Sequence, residues 1–424
     1  MSTLKERDRE VIWHPYTPMK LRPDAIGIVK GEGVYLEDEQ GNKYIDAISS
    51  WWVNLHGHAH PHIARRVSEQ LLRLEHSIFA GFTHEPAVKL AEQLLPILPG
   101  EMKKIFYSDN GSTAVEVAIK MALQYWGNKG QQKKKLVALE GAYHGDTFGA
   151  MSVSERSIFT EPFNEKLFDV AFIPFPTVGN EEASISALEA LLRVNDVAAF
   201  IVEPLVQGTA GMRMYDAATL AAYFELCKKY DALIIADEVM TGFGRTGNLF
   251  ACEGITPSAD IICLSKGLTG GTMPMGITAT TQQIFDAFYD DDILKTLYHG
   301  HSYTANPLAC TAAIASLDLL LDYNCELDRA RIARAHNDFA DQVKGKGKVL
   351  AARCAGTILA IELNTGTPTS YTNSQRDSIY KFFIDRKILL RPLGNIIYII
   401  PPYCITNGEL AYIYAAIKEL MNNI

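Results

Sequence analysis

From about residue 101 onward the sequence alternates short apolar runs with longer stretches of helical periodicity, and few architectures accept that order. KKIFYSD, KLVALEG, VAAFIVEPL, ALIIADEV and DIICLSKG are rich in Val, Ile and Leu, as strands buried on both faces require. Such strands, separated by helices, predict an α/β fold with a mostly parallel central sheet flanked by helices. Polar, glycine-containing turns follow most of the runs. Ligands gather beyond the carboxyl ends of strands in open parallel sheets, so those turns are where chemistry is sought.

The clearest helix is predicted over 112–126, where Val115, Ala118, Ile119, Ala122, Leu123 and Trp126 recur at helical spacing. Thr113 and Glu116 fit a capping box, which predicts a helix start at or beside Ser112. GVYLEDEQGNKYIDA reads as a hairpin, with QGN between two alternating runs. The last hundred or so residues read as a smaller α+β unit, with a helix over 325–343 and strands at TILAIEL and IIYIIPP.

A chain of 424 residues exceeds the usual span of one core, so two packed units are expected. The net charge of -9 gives no general attraction to nucleic acid or anionic membranes, and neither is expected as a partner. No apolar run approaches the roughly 18 residues of a membrane helix, and MSTLKERDREVIWHPYTPM has no apolar core of a signal peptide. Seven scattered cysteines without a C-x-x-C pair point to reduced thiols in a cytoplasmic protein. QQKKK at 131–135 reads as a solvated loop.

Four strand ends carry groups with chemical potential. Lys266 follows an apolar run and precedes a glycine-rich turn; most lysines in loops are simply solvated, but a desolvated amine condenses readily with an aldehyde. Asp237 ends another run, where a carboxylate is often only a turn former; it is equally suited to pair with a protonated ring nitrogen. SDNGST turns a strand into the 112–126 helix, and the free amides at Gly111 and Ser112 suit a phosphate. Tyr143, in EGAYHGDT, is either a core ring or a stacking face. Together these are the groups that pyridoxal 5'-phosphate requires.

Their order and spacing resemble the class III aminotransferases over essentially the whole chain, in DNGSTAVEVAIKMA, GAYHGDT, EPLVQGTAG, ADEVMTGFGRTG, LSKGLTGG and GHSYTANPLAC. The resemblance implies pyridoxal-phosphate fold type I, with a small α+β domain drawn from both termini. Its boundaries are read as 1–58 and 321–424, around a large cofactor-binding domain at 59–320. It also implies pyridoxal 5'-phosphate as cofactor, Lys266 as the Schiff-base lysine, Asp237 at the ring nitrogen, Tyr143 on the ring, and Gly111 with Ser112 on the phosphate. Ser302 would complete the phosphate site of a neighbouring subunit, which makes a homodimer the expected assembly. Glu203 reads as a carboxylate supporting the site.

Within the class, WHPYTPM at 13–19, ISSWWVNLHGHAHP at 48–61, GFTHEPA at 81–87 and RPLGNIIYIIPPY at 391–403 resemble the branch that aminates 8-amino-7-oxononanoate to 7,8-diaminononanoate in biotin biosynthesis. That resemblance makes Tyr16 a catalytic residue and places Tyr16, Trp51, Trp52, Tyr143 and Gly300 around the substrate, with Arg391 on its carboxylate. Two signals on the donor conflict. SSWW favours S-adenosylmethionine, whereas GHSYTANP at 300–307 departs from the G-P-T-F-x-(G/A)-N of enzymes using it and resembles a lysine-using branch. S-adenosylmethionine is the donor expected, with lysine or another class III ω-amino acid activity as the alternative. A regulator that keeps the fold without catalysis is disfavoured because Lys266 and Asp237 are both present. His56, His58, His60 and His62 invite a metal reading, but Pro61 interrupts them and no metal is expected.

Overall fold

The computed structural model describes residues 2–21 and 25–423. Among these residues the central sheet has seven strands, in the order Met102–Ser108, Gly276–Thr281, Ile261–Leu264, Leu233–Asp237, Val197–Val202, Lys135–Leu139 and Ala171–Ile173. Only Gly276–Thr281 runs against its neighbours; the other six are parallel. The five apolar runs predicted as strands are five of these seven. Ala171–Ile173 is too short for a pattern to show, and Gly276–Thr281 is disguised by its threonines. Thr278 is fully buried and donates its hydroxyl to the Ala114 carbonyl at 2.8 Å, which satisfies a polar group inside the sheet.

The helix Gly111–Asn128 lies across the sheet and buries Val115, Ala118, Ile119, Ala122 and Trp126. Each large aliphatic side chain so buried contributes roughly 1.5–3 kcal/mol. Trp126 also donates its ring N–H to the Ala198 carbonyl at 2.8 Å. The expected capping box is displaced: Asn110 caps the helix and exchanges bonds of 3.0 Å with Thr113, one turn earlier than the Thr113–Glu116 pair. Glu116 instead accepts from the amides of Gly149 at 2.7 Å and Ala150 at 3.0 Å, fastening the start of the short helix Phe148–Ser152 to the longer one.

Early and late strands meet in one of the smaller sheets. Ile28–Glu32, Tyr35–Asp38 and Lys43–Asp46 form an antiparallel ribbon that includes the predicted hairpin. The late strand Ile388–Leu389 joins it in parallel, with Ile388 opposite Ile45 and Leu389 opposite Asp46. Val349–Ala355, Ile358–Leu363 and Ile396–Ile399 make a second sheet. The helix Tyr323–Val343 packs on it and stacks Phe339 on Tyr414 of the last helix, Asn407–Asn423. Among the described residues no single helix is long and apolar enough to cross a membrane.

Candidate active site

The parallel strands stop at one edge, and the groups that follow them converge on a cavity of about 790 Å³. Leu233–Asp237 ends on Asp237, Ile261–Leu264 leads to Lys266, Val197–Val202 leads to Glu203, and Lys135–Leu139 leads to Tyr143 and His144. Met102–Ser108 leads to the first turn of the Gly111–Asn128 helix, whose amides have no partner within the helix.

Lys266 is held in the left-handed region at φ 40°, a strain on the order of 1–3 kcal/mol for a non-glycine residue. Burial pushes its amine down to about 8, and Asp237 and Glu203 pull it part of the way back. Its Nζ stands 4.6 Å from the centre of the Trp52 ring. Asp237 is buried, with Oδ2 2.7 Å from His144 Nδ1 and Oδ1 accepting from the Val239 amide at 3.1 Å. Glu203 accepts from the amides of Tyr143 and Gly208, both at 3.0 Å, and burial raises its carboxyl to about 7.

At the helix start, a Cβ on Gly111 would come within 2.7 Å of Val239 Cγ1, so a larger residue closes this cradle. Ser112 Oγ sits 2.8 Å from Thr147 Oγ1 and accepts from the Thr147 amide at 3.1 Å. An open helix N-terminus between two hydroxyls suits an anion. The site thus offers an aldehyde-seeking amine, a buried carboxylate, an aromatic face and an anion cradle. These residues fit pyridoxal 5'-phosphate.

The opposite wall is aromatic. The Tyr16 hydroxyl donates to Asp146 Oδ2 and lies 3.3 Å from the Tyr143 hydroxyl. Burial holds both phenols above their ordinary range; the bond to Asp146 adds to this at Tyr16. Tyr16 meets Trp51 edge-on at 5.6 Å and Phe159 at 5.7 Å, and Phe159 meets Tyr371 at 4.8 Å. Arg391 rests its guanidinium 5.0 Å from the Trp51 ring centre and donates to the Tyr16 carbonyl at 3.2 Å. Trp51 is 41% exposed and Trp52 only 4%.

Residues 17–421 match the family model described as aminotransferase class-III. The chain belongs to the class III aminotransferases. It is 49% identical to the adenosylmethionine-8-amino-7-oxononanoate aminotransferase of Synechococcus elongatus over 97% of this chain and 99% of the relative. The Geobacter sulfurreducens protein of the same name is 39% identical, over 100% and 98%. The structure of the Methanocaldococcus jannaschii protein of that name superposes with a TM-score of 0.94 at 36% identity, covering 99% of this chain and 98% of the other. An omega transaminase from Pseudomonas jessenii in complex with PMP superposes with a TM-score of 0.93 at 26% identity, over 100% and 98%.

Around the aminotransferase cavity the structure gathers Lys266, Asp237, Gly111, Ser112, Tyr143, Tyr16, Trp51, Trp52 and Arg391. Gly300 and Ser302 do not line it within one chain; Ser302 is exposed. Sequence reasoning missed His144, Asp146, Phe159 and Tyr371. The first two lie in GAYHGDT beside Tyr143, which was the available signal, whereas nothing local marks the aromatic pair. The four histidines of HGHAHPH disperse to separate partners: His56 to Ser316 at 3.0 Å, His58 to Asp46 at 3.0 Å, His62 to Asp318 at 3.3 Å, and His60 to the His62 amide at 3.3 Å.

Proposed function

We propose that this aminotransferase converts 8-amino-7-oxononanoate to 7,8-diaminononanoate with S-adenosylmethionine as amino donor, a step of biotin biosynthesis, and works as a cytoplasmic homodimer. The observation that carries the reading is the pairing of Arg391 with Trp51 and Tyr16 on the wall of a chamber whose Trp52 side holds Lys266. An acceptor with one carboxylate on a long apolar chain matches one arginine set among aromatic rings. The names of the full-length relatives support the same substrates. The pairing of Lys43–Asp46 with Ile388–Leu389 supports 1–58 and 321–424 as one small domain against a large domain at 59–320.

Lys266, Asp237, Tyr143, Gly111 and Ser112 would hold the cofactor, with Ser302 of one subunit reaching the site of the other. When bound, pyridoxal 5'-phosphate supplies the carbonyl carbon that takes the amine and the ring that holds the electron pair released at the substrate carbon. Lys266 Nζ, easily deprotonated in its buried setting, would carry the proton from the amine-bearing carbon to the former carbonyl carbon of the cofactor in one half-reaction and in the reverse direction in the other. Asp237, oriented by His144, sets a carboxyl group at the buried end of the site, where the ring nitrogen of the cofactor would lie. Trp52 covers the lysine against water, and Tyr16 presents a hydroxyl oriented by Asp146 to the substrate. Arg391 binds the acceptor carboxylate and sets its register.

A second reading, lysine as donor, is favoured by GHSYT at 300–304. Incubating the holoenzyme with 8-amino-7-oxononanoate and either donor, with 7,8-diaminononanoate quantified by mass spectrometry, tests both. Product with S-adenosylmethionine and little with lysine is expected. The reverse overturns the donor, and no product with either overturns the acceptor.

A further inference from the structure

The HGHAHPH run and the acidic residue ahead of the two tryptophans have no part in the chemistry above, yet they meet. Asp46 ends the Lys43–Asp46 strand and is completely buried. Its Oδ2 accepts from Ser50 Oγ at 3.0 Å and lies 3.0 Å from His58 Nε2, while its Oδ1 accepts from the Ile48 amide at 3.2 Å. His58 Nδ1 lies 3.2 Å from Asn54 Nδ2, and the imidazole with its proton on Nε2 satisfies both contacts. Asn54 Oδ1 accepts from the Gly57 amide at 2.7 Å, and the His58 amide donates to the Gly33 carbonyl at 2.7 Å. One carboxylate therefore ties together both ends of the 46–58 segment.

What lies between the ties is strained. Ser49, Ser50 and Trp52 occupy the left-handed region at φ 51°, 61° and 66°. Non-glycine residues stay there only where their surroundings over-determine the conformation. The two rings set by this path face opposite tasks: Trp52 lies against Lys266, and Trp51 against Arg391 and Tyr16. The backbone of Asp46 is also opposite Leu389, two residues before Arg391. Asp46 thus stands between the segment that carries the two tryptophans, which its carboxylate binds, and the strand that leads to Arg391, which its backbone pairs.

We propose that Asp46 and His58 are positioning residues which hold Trp51 and Trp52 in the strained path that shapes the substrate chamber. The inference rests on reading that chamber as the substrate site, and is independent of which amine pair it serves. A merely structural role for the pair would lower stability alone. A positioning role changes substrate use in a protein that remains folded, because small misplacements of binding groups are felt in catalysis.

The test uses three variants of the holoenzyme: His58→Phe, which keeps a ring without a donor; His58→Gln, which keeps a donor; and Ser50→Ala, which removes one tie. Steady-state turnover, the tryptophan band in near-ultraviolet circular dichroism and the melting temperature are recorded for each. In His58→Phe, kcat/KM for the acceptor should fall on the order of tenfold, mainly through KM, with a weaker tryptophan band. His58→Gln should stay within about threefold of the parent, as expected for a retained hydrogen bond. Ser50→Ala should show a smaller loss of the same kind, and it carries the test if His58→Phe does not fold. Parental KM and tryptophan band in both His58→Phe and Ser50→Ala overturn the proposal, as does a His58→Gln variant as impaired as His58→Phe. Failure of the parent to make 7,8-diaminononanoate sinks the substrate reading alone, since the dichroism comparison still decides this one.

Discussion

His144 Nδ1 lies 2.7 Å from Asp237 Oδ2, and neither side chain has meaningful access to solvent. An isolated carboxylate so deeply buried is costly to keep charged, and the imidazole is its principal side-chain partner. His144→Phe should therefore lower kcat on the order of tenfold or more and loosen the cofactor, because Asp237 loses its orientation. Asp237→Asn should be worse, since the charge itself is gone. Turnover and cofactor release followed by visible absorbance check both; a His144→Phe enzyme with parental values on each would remove the histidine from the site.

Lys266 makes a prediction about stability as well as activity. Lys266→Met should abolish turnover, since the amine and the proton carrier disappear together. In cofactor-free protein the same change should stabilise. The folded lysine releases its proton at about 8, whereas the unfolded one keeps it to its ordinary 10.5. The unfolded chain therefore binds more protons between those values, and the stability of the parent rises with pH across that window. The advantage of Lys266→Met, about 3 kcal/mol at pH 7, should shrink from pH 8 and vanish above 10.5. Urea unfolding of both cofactor-free proteins at several pH values measures it.

Arg391→Ala leaves an acceptor carboxylate without its partner beside Trp51. The acceptor half-reaction should lose on the order of a hundredfold, the range for removing one member of a desolvated charge pair. The donor half-reaction should lose much less, and single-turnover spectra of the two halves separate them. Equal losses in both would move Arg391 from acceptor recognition to general support of the wall.

Ser302 stands exposed outside the cavity of its own chain. A homodimer that shares its sites predicts that Ser302→Ala weakens cofactor retention without changing the fold. It also predicts that sedimentation finds activity only in the dimer. A fully active monomer would exclude this arrangement.

The parts of the site that sequence reveals are those in which one short pattern carries the whole meaning. Lys266 and Asp237 each close an apolar run, and the Gly111–Ser112 turn opens a helix, so strand and chemistry are read in the same few residues. Phe159 and Tyr371 contact each other at 4.8 Å across more than two hundred residues, and no local signal encodes that. The same limit hides the Gly276–Thr281 strand, whose threonines look solvated until Ala114 is seen to accept from one of them. Capping is misread for a related reason: Thr113 and Glu116 have the right spacing, but the first turn of the helix Phe148–Ser152 claims the glutamate.

The parallel pairing of Lys43–Asp46 with Ile388–Leu389 also has a meaning for synthesis on the ribosome. At roughly 5–20 residues per second the amino-terminal ribbon waits on the order of tens of seconds for its last strand. During that interval it presents an open edge, the kind of surface that recruits chaperones or another chain. A nascent chain stalled before residue 388 already carries Lys266, Asp237 and the Gly111 cradle, yet lacks Arg391 and the strand that backs Asp46. Competence for the complete reaction is therefore among the last properties the growing polypeptide acquires.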